Sequence, residues 1–126
     1  MTESILGQCD ATGRELTIVV ARFNALITAR LLDGARGVQV PGAVELPLAC
    51  RWAAARADAV IALGCVIRGA TDHYDYVCAQ TARGVLDAMV QTGTPIGFGV
   101  LTCDTMEQAL DRAGGKVGNK GSDAAM

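Results

Sequence analysis

The sequence is poor in aromatic side chains, with Phe23, Trp52, Tyr74, Tyr76 and Phe98 the only five in 126 residues. Charge is sparse as well: 19% of residues are charged, the formal net charge is −2, and the basic residues do not cluster. That excludes the basic face on which a general nucleic-acid binder depends. No uncharged apolar stretch exceeds Ala59 to Ile67, about half of the roughly 20 residues that a membrane-spanning helix requires. Met1-Thr2-Glu3-Ser4 offers no basic region followed by an apolar one, so no secretory signal is read and a cytoplasmic protein is expected. None of the five cysteines (Cys9, Cys50, Cys65, Cys78, Cys103) has a partner at C-x-x-C spacing, and most sit in apolar surroundings. Buried free thiols in a reducing compartment are the expectation.

What is present is small and apolar. Hydrophobic residues make up 51% of the chain, and there are 21 alanines and 15 glycines. The length suits one domain over residues 1–126, with residues 1–15 as an N-terminal arm. Small side chains bury little area each, at roughly 25 cal/mol per Å². Such a core is thin for one chain, and burial against partner subunits is expected.

Leu16 to Ala21 is a β-branched run suited to a strand covered on both faces. Ala25 to Gly34 carries apolar residues at helical spacing, and Val38 to Val40 is a brief extended piece stopped by Pro41-Gly42. Val44 to Ala57 reads as an alanine-rich helix with Pro47 tolerated in its first turn. Ala59 to Ile67 is the clearest buried strand. The spacing then predicts a long helix over Asp72 to Gln91, with Tyr74, Val77, Cys78, Ala82, Val85, Leu86 and Met89 on one stripe. Ile96 to Leu101 is a further strand. Asp104 is placed as an N-cap with Glu107 at the capping-box position, opening a helix that runs to Ala113. Gly114 to Gly121 reads as a flexible glycine-lysine loop, with another helix beginning at Ser122. Strands alternating with helices predict an α/β fold: a three-layer doubly wound (flavodoxin-like) sheet of four mainly parallel strands with helices on both faces. Such sheets bind ligands beyond the carboxyl ends of their strands.

Polar and aromatic residues collect at those ends. Arg22-Phe23-Asn24 follows the first strand, where Phe23 is either a lid on the core or a ligand platform. Pro41-Gly42-Ala43-Val44-Glu45-Leu46-Pro47 follows the second and sets Glu45 at a helix start, where a carboxylate also complements the helix dipole. Arg68-Gly69-Ala70-Thr71-Asp72-His73 follows the third. A small-residue turn at a helix N-terminus offers backbone N–H groups to a phosphate, and His73, the one histidine, is either structural or a proton carrier. Arg112, Lys116 and Lys120 surround the glycine-rich loop, as a solvated surface or as a grip on phosphate.

Four segments carry a resemblance: Arg22-Phe23-Asn24, P-G-A-V-E-L-P, A-L-G-C-V-I-R-G-A-T-D-H-Y-D-Y-V-C and D-R-A-G-G-K-V-G-N-K-G. In this order, from about Leu16 to Ala125, the chain strongly resembles the 6,7-dimethyl-8-ribityllumazine synthases of riboflavin biosynthesis. The resemblance implies condensation of 5-amino-6-(D-ribitylamino)uracil with 3,4-dihydroxy-2-butanone 4-phosphate, giving the lumazine, phosphate and water without metal or redox cofactor. It implies that Phe23 stacks on the pyrimidine, and that Asn24 and Glu45, with backbone of Gly42 and Ala43, hold the ribityl chain. It further implies that backbone of Val66 and Ile67 reads the uracil edge, and that Gly69, Ala70 and Thr71 cradle the phosphate with Arg112. His73 would shuttle protons and Lys120 would contact the pyrimidine. Phe98, Arg112 and Lys120 would come from the neighbouring subunit of a homopentamer or larger assembly. The chain departs from the family between Ala35 and Pro41, where the family has more than a dozen further residues. Two other readings share the resemblance, an archaeal-type riboflavin synthase and a non-catalytic ligand-binding or shell-forming relative. The intact R-G-A-T-D-H segment favours the lumazine enzyme. A generic nucleotide-binding domain is disfavoured because G-x-G-x-x-G and G-x-x-x-x-G-K-[ST] are both missing.

Overall fold

A computed structural model of the chain describes residues 15–24, 26–28 and 37–126. A four-stranded parallel sheet runs in the order β2 (Gly37–Val40), β1 (Leu16–Ala21), β3 (Ala59–Ile67), β4 (Ile96–Cys103). β1 and β3 fall where their β-branched runs predict. β3 is buried from Val60 through Val66, as befits a central strand covered on both faces. β4 runs two residues past its expected end because Thr102 and Cys103 continue the ladder opposite Val66 and Ile67. The α/β doubly wound layout is thus confirmed, with all four strands parallel.

Two apolar layers flank the sheet. On one face Val19, Ala21, Val60, Ala62, Val66, Ile96 and Val100 meet α1 (Leu46–Ala54) and α2 (His73–Thr92). On the other, Val20, Ile61, Leu63, Cys65, Leu101 and Cys103 meet Ile27, α3 (Met106–Arg112) and Ala124 of α4 (Lys120–Ala125). Small residues allow close approach. A Cβ on Gly84 of α2 would stand 2.6 Å from Pro47 Cγ of α1. On the opposite face, Gly97 and Gly99 form the groove that receives Ala124. Cys50, Cys65 and Cys103 are free and buried and Cys78 is free and half-buried, while Cys9 lies outside the described residues. Among the described residues, no helix is long and apolar enough to cross a membrane.

Several expected boundaries shift. Ala43–Glu45 is a 3₁₀ turn, so α1 begins at Leu46, with Pro47 in its first turn, and ends at Ala54. The inner stripe of α2 uses Thr81, Val85 and Ala88; Ala82 and Leu86 face outward. Thr105, not Asp104, caps α3: its hydroxyl accepts from the Gln108 N–H at 3.2 Å. The Gln108 side chain, rather than that of Glu107, reaches back over the helix start and accepts from the N–H of Asp104, the residue before the cap, at 2.8 Å. The glycine-rich segment is an antiparallel hairpin of β5 (Ala113–Gly115) and β6 (Gly118–Asn119), not a free loop. α4 starts at Lys120, two residues before the expected Ser122, because Asn119 Oδ1 accepts from the N–H groups of Gly121 and Ser122. Leu26, Ile27 and Thr28 are helical, and the rest of the helix expected over Ala25 to Gly34 lies outside the described residues. So does the expected N-terminal arm apart from Glu15, which is tied to the turn before β3 by hydrogen bonds with Asp58 and Ala59.

Candidate active site

Strand order reverses between β1 and β3, because β1 leads outward to β2 and the chain then returns past β1. Ligands of doubly wound sheets bind at such a reversal, and a cavity of about 470 Å³ opens there, within the range of small-molecule sites. It is lined by Phe23 after β1, Pro41 to Glu45 after β2, Cys65, Val66 and Ile67 of β3, then Gly69, Thr71, His73, Tyr74 and Val77.

Local chemistry explains each wall. The turn after β1 is tied to β2 by Arg22 N–H on the Val40 carbonyl and Phe23 N–H on the Pro41 carbonyl. Asn24 adopts the left-handed region at φ 60°, which asparagine enters more readily than most residues. From there its amide donates to the Cys65 carbonyl at 3.1 Å. The β1–β3 ladder ends at the Val20–Leu63 pair, and the Asn24 amide supplies the Cys65 carbonyl with a partner beyond it. Phe23 is 69% exposed, so its ring is not a lid on the core and faces the cavity instead. Glu45 heads α1 and its carboxylate bends back over Gly42, where a Cβ would stand 3.3 Å from Oε2. Asp72 begins α2 without a side-chain cap, whereas α3 and α4 are capped by Thr105 and Asn119. The N-terminal end of α2 therefore presents its first turn, with exposed His73, toward the cavity. Burial pushes the Cys65 thiol up to about 12, reinforced by the nearby Cys103. Burial also raises the Tyr74 phenol, more than the Arg68 guanidinium over its ring lowers it.

Of the residues singled out in the sequence, the cavity gathers Phe23, Gly42, Ala43, Glu45, Val66, Ile67, Gly69, Thr71 and His73. Asn24 stands behind its wall, and Ala70 lies between two lining residues without lining it. Phe98, Arg112 and Lys120 are elsewhere in the chain. Phe98 is 43% exposed on edge strand β4. Arg112 ends α3, on the sheet face opposite α2, and donates to its own helix at the Gln108 carbonyl. Lys120 pairs with Asp123. Sequence reasoning missed Pro41, Val44, Cys65, Tyr74 and Val77 as lining residues. Val77 is signalled by lying one helical turn beyond His73.

Comparison with known proteins agrees with this geometry. The family model for 6,7-dimethyl-8-ribityllumazine synthase matches residues 13–126. The chain is 47% identical over 139 aligned positions to a 6,7-dimethyl-8-ribityllumazine synthase of Desulfovibrio desulfuricans (strain ATCC 27774 / DSM 6949 / MB), covering 98% of this chain and 89% of the relative. It is 51% identical over 136 positions to the enzyme of that name from Syntrophus aciditrophicus (strain SB), covering 95% and 88%. A parallel sheet with its cavity at the strand reversal, joined to these matches, places the chain in the 6,7-dimethyl-8-ribityllumazine synthase family.

Proposed function

We infer that this chain condenses 5-amino-6-(D-ribitylamino)uracil with 3,4-dihydroxy-2-butanone 4-phosphate to give 6,7-dimethyl-8-ribityllumazine, phosphate and water. One observation carries the reading: an exposed phenyl face, a carboxylate and a glycine-led turn ending in a histidine converge on one cavity in a chain of this family. The primary amine attacks the ketone and one water leaves to form an imine, phosphate is eliminated, and the ribityl-bearing nitrogen closes the ring on the remaining carbonyl with loss of a second water. Both substrates are held side by side, so proximity supplies much of the acceleration.

In this account Phe23 stacks on the pyrimidine, and Asn24 and Glu45, with backbone of Gly42 and Ala43, hold the ribityl chain. Val66 and Ile67 meet the uracil edge through their backbone. Gly69, Ala70 and Thr71 seat the phosphate, and His73 carries protons into imine formation and phosphate elimination. Arg112 grips the phosphate as it departs, and Lys120 contacts the pyrimidine. Arg112, Lys120 and Phe98 come from an adjoining subunit of a homopentamer, since within their own chain they stand away from the cavity. Exposed apolar residues support such an assembly: Val44, Leu48 and Trp52 on and before α1, Leu86 and Val90 on α2. The reaction is placed in the cytoplasm, where the free thiols stay reduced.

Incubation with both substrates tests the reading, with phosphate release and lumazine absorbance followed together. Equal amounts of the two products are expected. His73→Ala is expected to slow turnover by about tenfold or more, and Arg112→Ala to weaken use of the phosphate substrate. Absence of product contradicts the reaction, and unchanged rates in both variants contradict the assigned residues.

A further inference from the structure

Arg68 follows β3 and opens the turn that leads to α2. Its backbone N–H donates to the Cys103 carbonyl at 2.8 Å, fixing the start of the turn to the end of β4. Its side chain reaches across the same turn. Nε donates to Asp104 Oδ1 at 2.8 Å, Nη1 stands 3.5 Å from Asp75 Oδ1, and the guanidinium carbon lies 4.2 Å from the Tyr74 ring centroid. Tyr74 lines the cavity. Arg68 is not itself among the lining residues.

We propose that Arg68 is a positioning residue for the condensation, stapling both ends of the Gly69–His73 turn together and holding that turn against β4. The turn has little to hold it from within. Asp72 supplies no side-chain cap, and the His73 N–H contact to Thr71 Oγ1 is long at 3.4 Å. One exposed ion pair alone would restrain it weakly. Here a single planar group engages two carboxylates and an aromatic face, and its geometry suits such simultaneous contacts. A backbone seat for phosphate works only when its N–H groups are held in place, since small displacements of a positioning element cost large factors in rate. The proposal rests on the reading of this turn as the phosphate seat.

The test compares Arg68→Ala, Arg68→Lys and Asp104→Asn with the unaltered assembled protein. Two readouts are needed, amide hydrogen exchange across residues 69–78 and the separate KM for each substrate. Arg68→Ala is expected to speed exchange in the turn and to raise KM for the butanone phosphate about tenfold, with KM for the pyrimidine changed less than about twofold. Arg68→Lys and Asp104→Asn keep part of the cluster and are expected to fall between. Unchanged exchange in Arg68→Ala overturns the proposal, as does an equal rise in both KM values. If the unaltered protein forms no lumazine, the proposed reaction fails, and exchange in the turn still decides whether Arg68 holds it.

Discussion

Asn24 offers a sharp test of how the cavity wall is built. Its left-handed backbone and its bond to the Cys65 carbonyl make separate contributions that two substitutions divide. In Asn24→Ala a residue with a Cβ must occupy the left-handed region, at about 1–2 kcal/mol. The Cys65 carbonyl also loses its partner, at roughly 1–2 kcal/mol where water cannot replace it fully. Asparagine already bears part of the backbone cost, so the expected net loss is about 2–3 kcal/mol. Asn24→Gly loses the same bond but relaxes the backbone, for a loss of about 1–2 kcal/mol. Glycine should therefore be the more stable variant by about 1 kcal/mol, the reverse of the usual order of these two residues. Urea unfolding at one fixed protein concentration measures this, since assembly adds a concentration-dependent contribution. An alanine variant as stable as the glycine variant would refute the reasoning.

Two further predictions concern packing and ionisation. Gly97→Ala directs its methyl at the Ala124 carbonyl, so α4 should be displaced, with a loss of about 1–3 kcal/mol and faster amide exchange over residues 120–125; unchanged exchange there contradicts the packing. Burial pushes both Cys50 and Cys65 up to about 12 from 9.0, so the folded state keeps these protons when the unfolded chain has released them. Their contribution is present below pH 9 and declines as pH rises toward 12, by at most about 1.4 kcal/mol per pH unit for each thiol. Iodoacetamide at pH 8 should spare both in the native protein and label both after denaturation.

The parts of the fold readable in the sequence are those written in side-chain pattern. β1 and β3 are apolar β-branched runs bounded by polar turns, and the structure keeps their limits. What was missed depends on partners distant in sequence or on backbone alone. β4 lengthens because β3 offers Val66 and Ile67 to pair with. The β5–β6 hairpin is built largely from glycines and has no side-chain period to read. Thr105 and Asp104 are both good caps, and the Gln108 side chain selects between them by engaging Asp104. In α2, Thr81 and Ala88 take inner positions while Leu86 turns out, because α1 approaches closely at Gly84. The cavity residues were readable because strand ends carry function in this architecture. Neither the separation of Arg112 from His73 by the sheet nor the exposure of Phe23 could be read from sequence.

Mixed assembly tests the central claim most directly, namely that the cavity of one subunit is completed by Arg112 from another. His73→Ala and Arg112→Ala chains, each expected to be impaired alone, are refolded together from denaturant and assayed for lumazine. If the two groups come from neighbouring subunits, random pairing restores both to about a quarter of the sites, and activity rises toward that fraction of the unaltered protein. If both must come from one chain, no site regains the pair, and a mixture no more active than its parents contradicts the account.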